Sequence, residues 1–460
     1  MKQLIALVLA VLSAGSPAVI GGCGTEPDPQ PDQGSSAYAI VETAYPKMAP
    51  YPDESAYYDP ATGEFDDEGF SAAFDAWNAS IQQQRQQDTA YLEGPKQFTR
   101  TAAAALLGQS DGQNHVCSPL NIYMALGMLA ETTDGNSRQQ ILDLLDEASI
   151  ESLRTTASAL WNANYRDDGA VASILAASLW LNQSVAFKPE TLNTIAETYY
   201  ASSYRGEMGS AEFDQALQAW LNAQTGGLLE DQISDLSMEP ETILALATTI
   251  YFRAKWSNEF SEHSTTQDVF HTPDSDLTCD FMHQSDARNY YWGDRFSSVA
   301  QPLENRGAMW FILPDEGVSV QELLTDSQTL DFLLANGDWE NSKYLIVNLA
   351  VPKFDVTSQL DLSQTLKTLG VTDVFDPTIS DFTPLTEETD GIYVSQAEHD
   401  ARVTIDEQGC TAVAYTVMMA AGAGMPPEET VDFVLDRPFL FVITGSDGLP
   451  LFIGVVNQPV

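Results

Sequence analysis

From residue 91 to its last residue, this 460-residue chain contains no linker and no internal repeat. About 365 residues must therefore share one body, a large size for a single core. The order of its patterns narrows the choice further. Helical periodicity comes first, at 95–108, 119–133, 137–145, 150–164 and 212–224. The second of these carries "LNIYMALGMLA", apolar on every side and therefore expected at the centre. Long strand-like runs come later: "ILALATTIYFRAKW", "MWFILP", "YLIVNLAVPKF" and "ARVTIDE". The chain closes with "PFLFVITGSDGLPLFIGVV", two apolar runs around a glycine-containing turn, which reads as a buried hairpin. Helices first and strands later point to an α+β fold rather than to alternating βαβ units.

The region before residue 91 is different. "MKQLIALVLAVLSAGSPAVIGGC" has a basic start, an apolar run from Leu4 to Leu12 and then small residues. That run is too short for a stable spanning helix and reads as an export signal over residues 1–22. Residues Ile20 to Cys23 resemble a bacterial lipobox, which implies lipidation of Cys23 and anchoring at the cell envelope by acyl chains. The membrane face would be the outer membrane or cell surface, and without the anchor the protein would be extracellular. Residues 23–66 are rich in Pro, Asp, Gln, Tyr and Gly and are expected to be an acidic tether without fixed structure. Phe70, Phe74, Trp77 and Ile81 repeat at helical spacing, so an additional helix is expected within 67–90.

Composition excludes several classes. With 66 acidic and 20 basic residues the net charge is −46, which repels nucleic acid and anionic lipid. Beyond Cys23 the cysteines are Cys117, Cys279 and Cys410, widely spaced and without a CxxC, so neither a disulfide framework nor a zinc site is expected. Gly108 to Gly112 matches the G-x-S-x-G pattern of a hydrolase with Ser110 as nucleophile, but helix precedes it where a strand is required. No HExxH, EF-hand loop or phosphate-binding glycine loop occurs, and no cofactor or metal is expected. A catalytic residue is not expected anywhere in the chain.

One segment, residues 405–428, has two readings. Between Thr411 and Ala421 it is small, apolar and β-branched, suited to a buried strand. It also starts at Gly409 and ends in Gly-Ala-Gly and Pro-Pro, the punctuation of an exposed loop.

Five stretches in order resemble the serpin family. They are "NHVCSPLNIYMALGMLAETTDGNSRQQILDLL", "ILAASLWLNQSVAFKPETL", "TTIYFRAKWSNEFSEHSTTQDVFH", "VNLAVPKFDVTSQLDLSQTLKTLGVTDVFD" and "RPFLFVITGSDGLPLFIGVVNQP". The resemblance covers residues 91–460 and implies three β-sheets, eight or nine helices and an exposed reactive-centre loop. It also resolves the double reading, because a serpin's loop is a strand held outside its sheet until a protease cuts it.

The family pattern implies a scissile bond at Ala423-Gly424 and a hinge at Glu407, Gly409, Cys410, Thr411, Ala412, Val413 and Ala414. Cys410, Val413 and Tyr415 depart from the family's usual hinge and alanine run. Ser118, Asn121, Thr248 and His399 match the polar cluster beneath the opening sheet, with Asn121 and Thr248 in place of the usual serine and asparagine. Lys353 and Glu407 match an ion pair where the loop enters, and Trp256 the aromatic beside it. The implied function is inhibition of serine, and by the same chemistry cysteine, endopeptidases by a monomer acting as a suicide substrate. Ala423 between two glycines suits the shallow pocket of an elastase-like or subtilisin-like protease. The alternatives are a non-inhibitory serpin that binds or carries a ligand, and a lipid-anchored hydrolase at Ser110.

Overall fold

The structure is a computed structural model that describes residues 3–13 and 35–459, apart from 60–61, 86–88, 109–111, 170, 227–232, 235, 274, 305–306, 388–390 and 411–426. Strands β1 (Gln3–Ser13) and β2 (Ala39–Val41) precede helices α1 (Asp67–Arg85) and α2 (Glu93–Leu107). Then come β3 (His115–Cys117), α3 (Pro119–Thr132), α4 (Gly135–Leu144), α5 (Ile150–Asn164), β4 (Arg166–Asp167) and β5 (Ala172–Asn182). After them follow α6 (Pro189–Tyr199), β6 (Ala201–Gly206), α7 (Ala211–Gln224), β7 (Thr242–Lys255), β8 (Thr266–His271) and β9 (Asp276–Trp292). The last part holds β10 (Phe296–Pro302), β11 (Ala308–Pro314), β12 (Ser342–Pro352), β13 (Phe354–Asp361), β14 (Ile392–Ile405), β15 (Gly409–Cys410), β16 (Thr430–Val434), β17 (Phe439–Thr444) and β18 (Pro450–Val456). Three short helices, at Val320–Thr325, Ser327–Ala335 and Leu362–Thr368, are set among these strands.

The first sheet runs β13-β14-β1-β7-β5-β6-β2. The second ladder runs β16-β12-β9-β10-β11-β17-β18-β3, with β8 on β9. Strand β9 joins β10 through only Tyr290 to Trp292, whereas it pairs with β12 along its whole second half. The ladder therefore divides at β9 into two sheets, three in all, as the family resemblance implied. Nine of the α-helices among the described residues lie beyond residue 91.

Helix α3 is buried along its full length and sits under the first sheet against β7 and β18. Its apolar circumference is what such a central position requires. Ser118 caps it, with Oγ accepting from the Asn121 N–H at 3.1 Å, and Pro119 occupies the first turn, where its missing N–H costs nothing. The other face of the sheet is closed by α7, whose Phe213, Leu217 and Trp220 pack with Ile174, Trp180 and Ala245. Covered on both faces, β5 reads as continuous apolar sequence rather than as alternation.

Two features of the N-terminal region were not foreseen. Described residues of the expected tether, among them Thr43, Tyr45 and Tyr51, pack on the body. Strand β2 adds to the β6 edge, and Thr43 Oγ1 donates to the Tyr200 carbonyl at 2.8 Å. The Tyr45 ring lies 5.5 Å from that of Trp161 on α5, and Trp77 of α1 donates from Nε1 to Asp168 Oδ2 at 2.9 Å. Tyrosines and a tryptophan supply enough buried area to hold a segment poor in aliphatic residues. The second feature is β1. The run read as an export signal forms the strand between β7 and β14, parallel to both. No helix among the described residues is long and apolar enough to cross a membrane.

Candidate functional site: the loop hinge and the sheet beneath it

Strand β14 ends at Ile405, and the chain reverses within three residues before Gly409. Asp406 makes the turn: its Oδ1 accepts the N–H groups of Gln408 and Gly409 at 2.9 and 3.1 Å. Burial pushes its carboxyl above the usual range, against the pull of those two N–H groups. The sequence reading passed over this residue, although an aspartate two and three positions ahead of a glycine turn is the signature of such a motif.

Beyond the turn, Gly409 and Cys410 pair antiparallel with Lys255 and Ala254 of β7. Gly409 has φ +153°, and a Cβ there would lie 2.6 Å from the Ala254 carbonyl oxygen. The backbone approach that starts the pairing therefore needs glycine. Trp256 closes the turn from below, donating from Nε1 to the Asp406 carbonyl at 2.9 Å and from its backbone N–H to the Gln408 carbonyl at 3.1 Å.

Glu407 joins this turn to two other elements. Its Oε2 is 2.8 Å from Lys353 Nζ, and its Oε1 accepts from Thr265 Oγ1 at 2.7 Å. Burial alone would raise its pKa, but the lysine and the threonine outweigh that and hold it below the usual carboxylate range. Under the turn lies Lys255, mostly buried, with Nζ 3.7 Å from Glu259 Oε1. Burial lowers its pKa, opposed by Glu259 and Glu304.

The four residues of the expected polar cluster are linked only in part, and largely through backbone groups. His399 is fully buried on β14, and its Nε2 accepts the backbone N–H of Ser118 at 3.0 Å. The ring is thus neutral with its proton on Nδ1, which finds no acceptor among the described residues. Burial pushes its pKa down to about 3. Asn121 Nδ2 donates to the Thr248 carbonyl at 3.4 Å, while the Thr248 hydroxyl has no partner among the described residues. Thr248 and His399 do not meet, because Leu9 of β1 stands in register with both.

Thr411, Ala412, Val413, Ala414, Ala423 and Gly424 lie outside the described residues, as do Cys23 and Ser110. Gly108 follows the last turn of α2, and helical residues precede the G-x-S-x-G pattern. Cys117 and Cys279 are buried free thiols, and burial raises both, Cys279 to about 11. Neither is a reactive nucleophile. Among the described residues no cluster of metal-ligating side chains occurs.

The comparisons with known proteins bear on the family and the fold. The family model for serpin, a serine protease inhibitor, matches residues 93–459. Serpin-ZX of Arabidopsis thaliana is 27% identical over 365 residues, covering 76% of this chain and 93% of the relative. Plasminogen activator inhibitor 1 of Sus scrofa is 29% identical over 364 residues, covering 76% and 88%. The native state of Tengpin, a thermophilic serpin, superimposes with a TM-score of 0.71 at 25% identity, over 81% of this chain and 95% of that one. Human thyroxine-binding globulin complexed with its ligand gives a TM-score of 0.68 at 21% identity, a likeness of fold alone.

Proposed function

The chain belongs to the serpin family, and we propose that it inhibits serine endopeptidases, and cysteine endopeptidases of the same acyl chemistry, as a suicide substrate cut at Ala423-Gly424. The target's nucleophile attacks the Ala423 carbonyl and expels the Gly424 amine, leaving an acyl-enzyme. The freed loop then runs into the first sheet between β7 and β14 and carries the protease with it. Pulled out of shape, the protease's oxyanion hole and triad no longer hydrolyse the ester, since such sites lose large factors when geometry slips. No side chain of this protein serves as acid, base or nucleophile.

The observation that carries this reading is the pairing of Gly409 and Cys410 with Lys255 and Ala254, in which paired numbers add to 664. Continued in the same register, Thr416 falls opposite Thr248, and Ala423 opposite Glu241, one residue past the end of β7 at Thr242. The loop up to the scissile residue is thus as long as the strand it would line. Between Cys410 and Ala423 the sequence has no proline and no charge to obstruct a central strand.

Ala423 between Gly422 and Gly424 favours a target with a shallow pocket, elastase-like or subtilisin-like. We place the processed protein at the cell envelope, as a monomer held by lipid on Cys23. Incubation with an elastase-like protease is expected to give a covalent band that survives boiling in detergent, with cleavage after Ala423. Cleavage of the processed protein without that band would make it a non-inhibitory serpin.

A further inference from the structure

The slot into which the loop would run is already occupied. Strand β1 is hydrogen-bonded to β14 from Ile392 to Val403 and to β7 from Thr242 to Phe252, so the ladder groups that face the slot are satisfied over almost its whole length. It lies parallel to both neighbours, whereas a loop arriving through the turn at 406–408 is antiparallel to β7. Where the two segments meet, the geometry is specific. Gly409 and Cys410 take the positions opposite Lys255 and Ala254, and Ser13 takes the position opposite Phe252. In the loop's register Ala412 would need that same position opposite Phe252. From Phe252 onward, the places on β7 that this register would give the loop are therefore held by β1.

We infer that this slot is a binding site for an extended apolar peptide, that its resident is the chain's own residues 3–13, and that a chain retaining them is a substrate of its target rather than a trap. The inference rests on the inhibitory reading above. In such a chain the protease still attacks Ala423 and releases the new amine at Gly424. The loop has no vacant strand position to enter, so the acyl-enzyme keeps its geometry. Water then attacks the Ala423 acyl carbon, the bond to the protease's nucleophile breaks and that group is reprotonated, so the protease is returned free and Ala423 ends as a carboxylate. The resident strand is the same segment whose sequence marks it for removal on export, so processing would arm the inhibitor by emptying the slot. Strand addition of this kind derives its affinity from backbone hydrogen bonds and is therefore indifferent to most of the loop's side-chain chemistry.

The test compares three proteins with a pancreatic-type elastase: the full chain prepared without processing, the full chain carrying Leu9→Pro, and the chain beginning at Cys23. Proline at position 9 removes a ladder donor in mid-strand and cannot be held in a central position. The full chain is expected to be cut after Ala423 with at least a tenfold lower yield of covalent band than Leu9→Pro or the processed chain. Amide exchange at residues 3–13 is expected to be slow in the full chain and fast in Leu9→Pro. Equal band yields from the full chain and Leu9→Pro, or fast exchange at residues 3–13 in the full chain, would overturn the inference and leave the inhibitory reading standing. No band from any of the three, with slow exchange retained in the full chain, would instead overturn the inhibitory reading and leave the strand assignment standing.

Discussion

Lys353 Nζ and Glu407 Oε2 stand 2.8 Å apart and join the junction of β12 and β13 to the turn that launches the reactive loop. Glu407 is nearly buried there and Thr265 takes its second oxygen. Removing the lysine leaves a largely desolvated carboxylate with half its partners. Lys353→Met is therefore expected to destabilise the protein by about 1–3 kcal/mol and to loosen the hinge. The urea midpoint measures the first effect. The second appears as faster amide exchange at Gly409 and Cys410. An unchanged midpoint would place the pair among surface bridges of no consequence.

His399 predicts how stability responds to acid. Its pKa falls from an ordinary 6.5 to about 3 in the folded protein. Between those values the unfolded chain binds a proton that the folded one does not, so stability falls as pH drops from 6.5 towards 3. The neighbouring Asp400 acts in the opposite sense. Burial raises it to about 6, so the stability it contributes is present below 3.8 and is lost as pH rises to about 6. The difference between wild type and His399→Asn isolates the histidine. That difference in unfolding free energy should shrink as pH falls from 7 to 4, by a few kcal/mol at most. A difference independent of pH would mean that the ring is charged or solvated in the folded state.

Gly409 predicts a functional defect without a large loss of stability. Gly409→Val places a side chain against the Ala254 carbonyl and the Lys255 Cα, at 2.6 and 2.7 Å from the new Cβ. The first two loop pairs should then fail to form. With the processed protein and an elastase-like protease, more molecules are expected to be cut per protease trapped, with the cleavage site unchanged. Trapping at the wild-type ratio would remove Gly409 from the path of insertion.

Trp77 tests whether the N-terminal segment belongs to the folded body. Its ring is 5% exposed, donates to Asp168 and lies under the Arg166 guanidinium, 5.3 Å from the ring centre. Asp168 also accepts from Arg166 Nε at 2.6 Å. Trp77→Ala is expected to cost about 3–5 kcal/mol at this contact. The loss should appear first as rapid proteolysis within residues 35–85, before global unfolding. Resistance equal to wild type would mean that β2 and Tyr45 hold the segment alone.

Much of the body could be read directly from local pattern. The helices expected at 119–133, 150–164 and 212–224 occur at 119–132, 150–164 and 211–224, because each combines a serine cap with apolar residues at helical spacing. The closing hairpin is β17 and β18. Helix α6 was not anticipated, although Pro189 and Glu190 are a recognisable start, because the Thr and Tyr residues that follow weaken helical propensity. The N-terminal segment was misjudged for a different reason. Low aliphatic content reads as disorder, yet the Tyr45 ring docks on Trp161 and the Tyr51 N–H on the Asp168 carbonyl, each more than a hundred residues on, and Trp77 docks on the Asp168 carboxylate, about ninety residues on. No local pattern carries that information. The hinge residues were legible only through the family resemblance. The partner of His399 was not, since it is a backbone amide that the side chain of Ser118 does not announce.

In the proposed mechanism the uncut loop stands outside a sheet in which it would be more stable, and heat measures that difference. The processed protein should be melted intact and again after a single cut between Ala423 and Gly424. The cut molecule is expected to melt at a distinctly higher temperature, because its loop has become a central strand. A cut molecule that melts at the same temperature or below would contradict it, since no free energy would then be available to distort a protease.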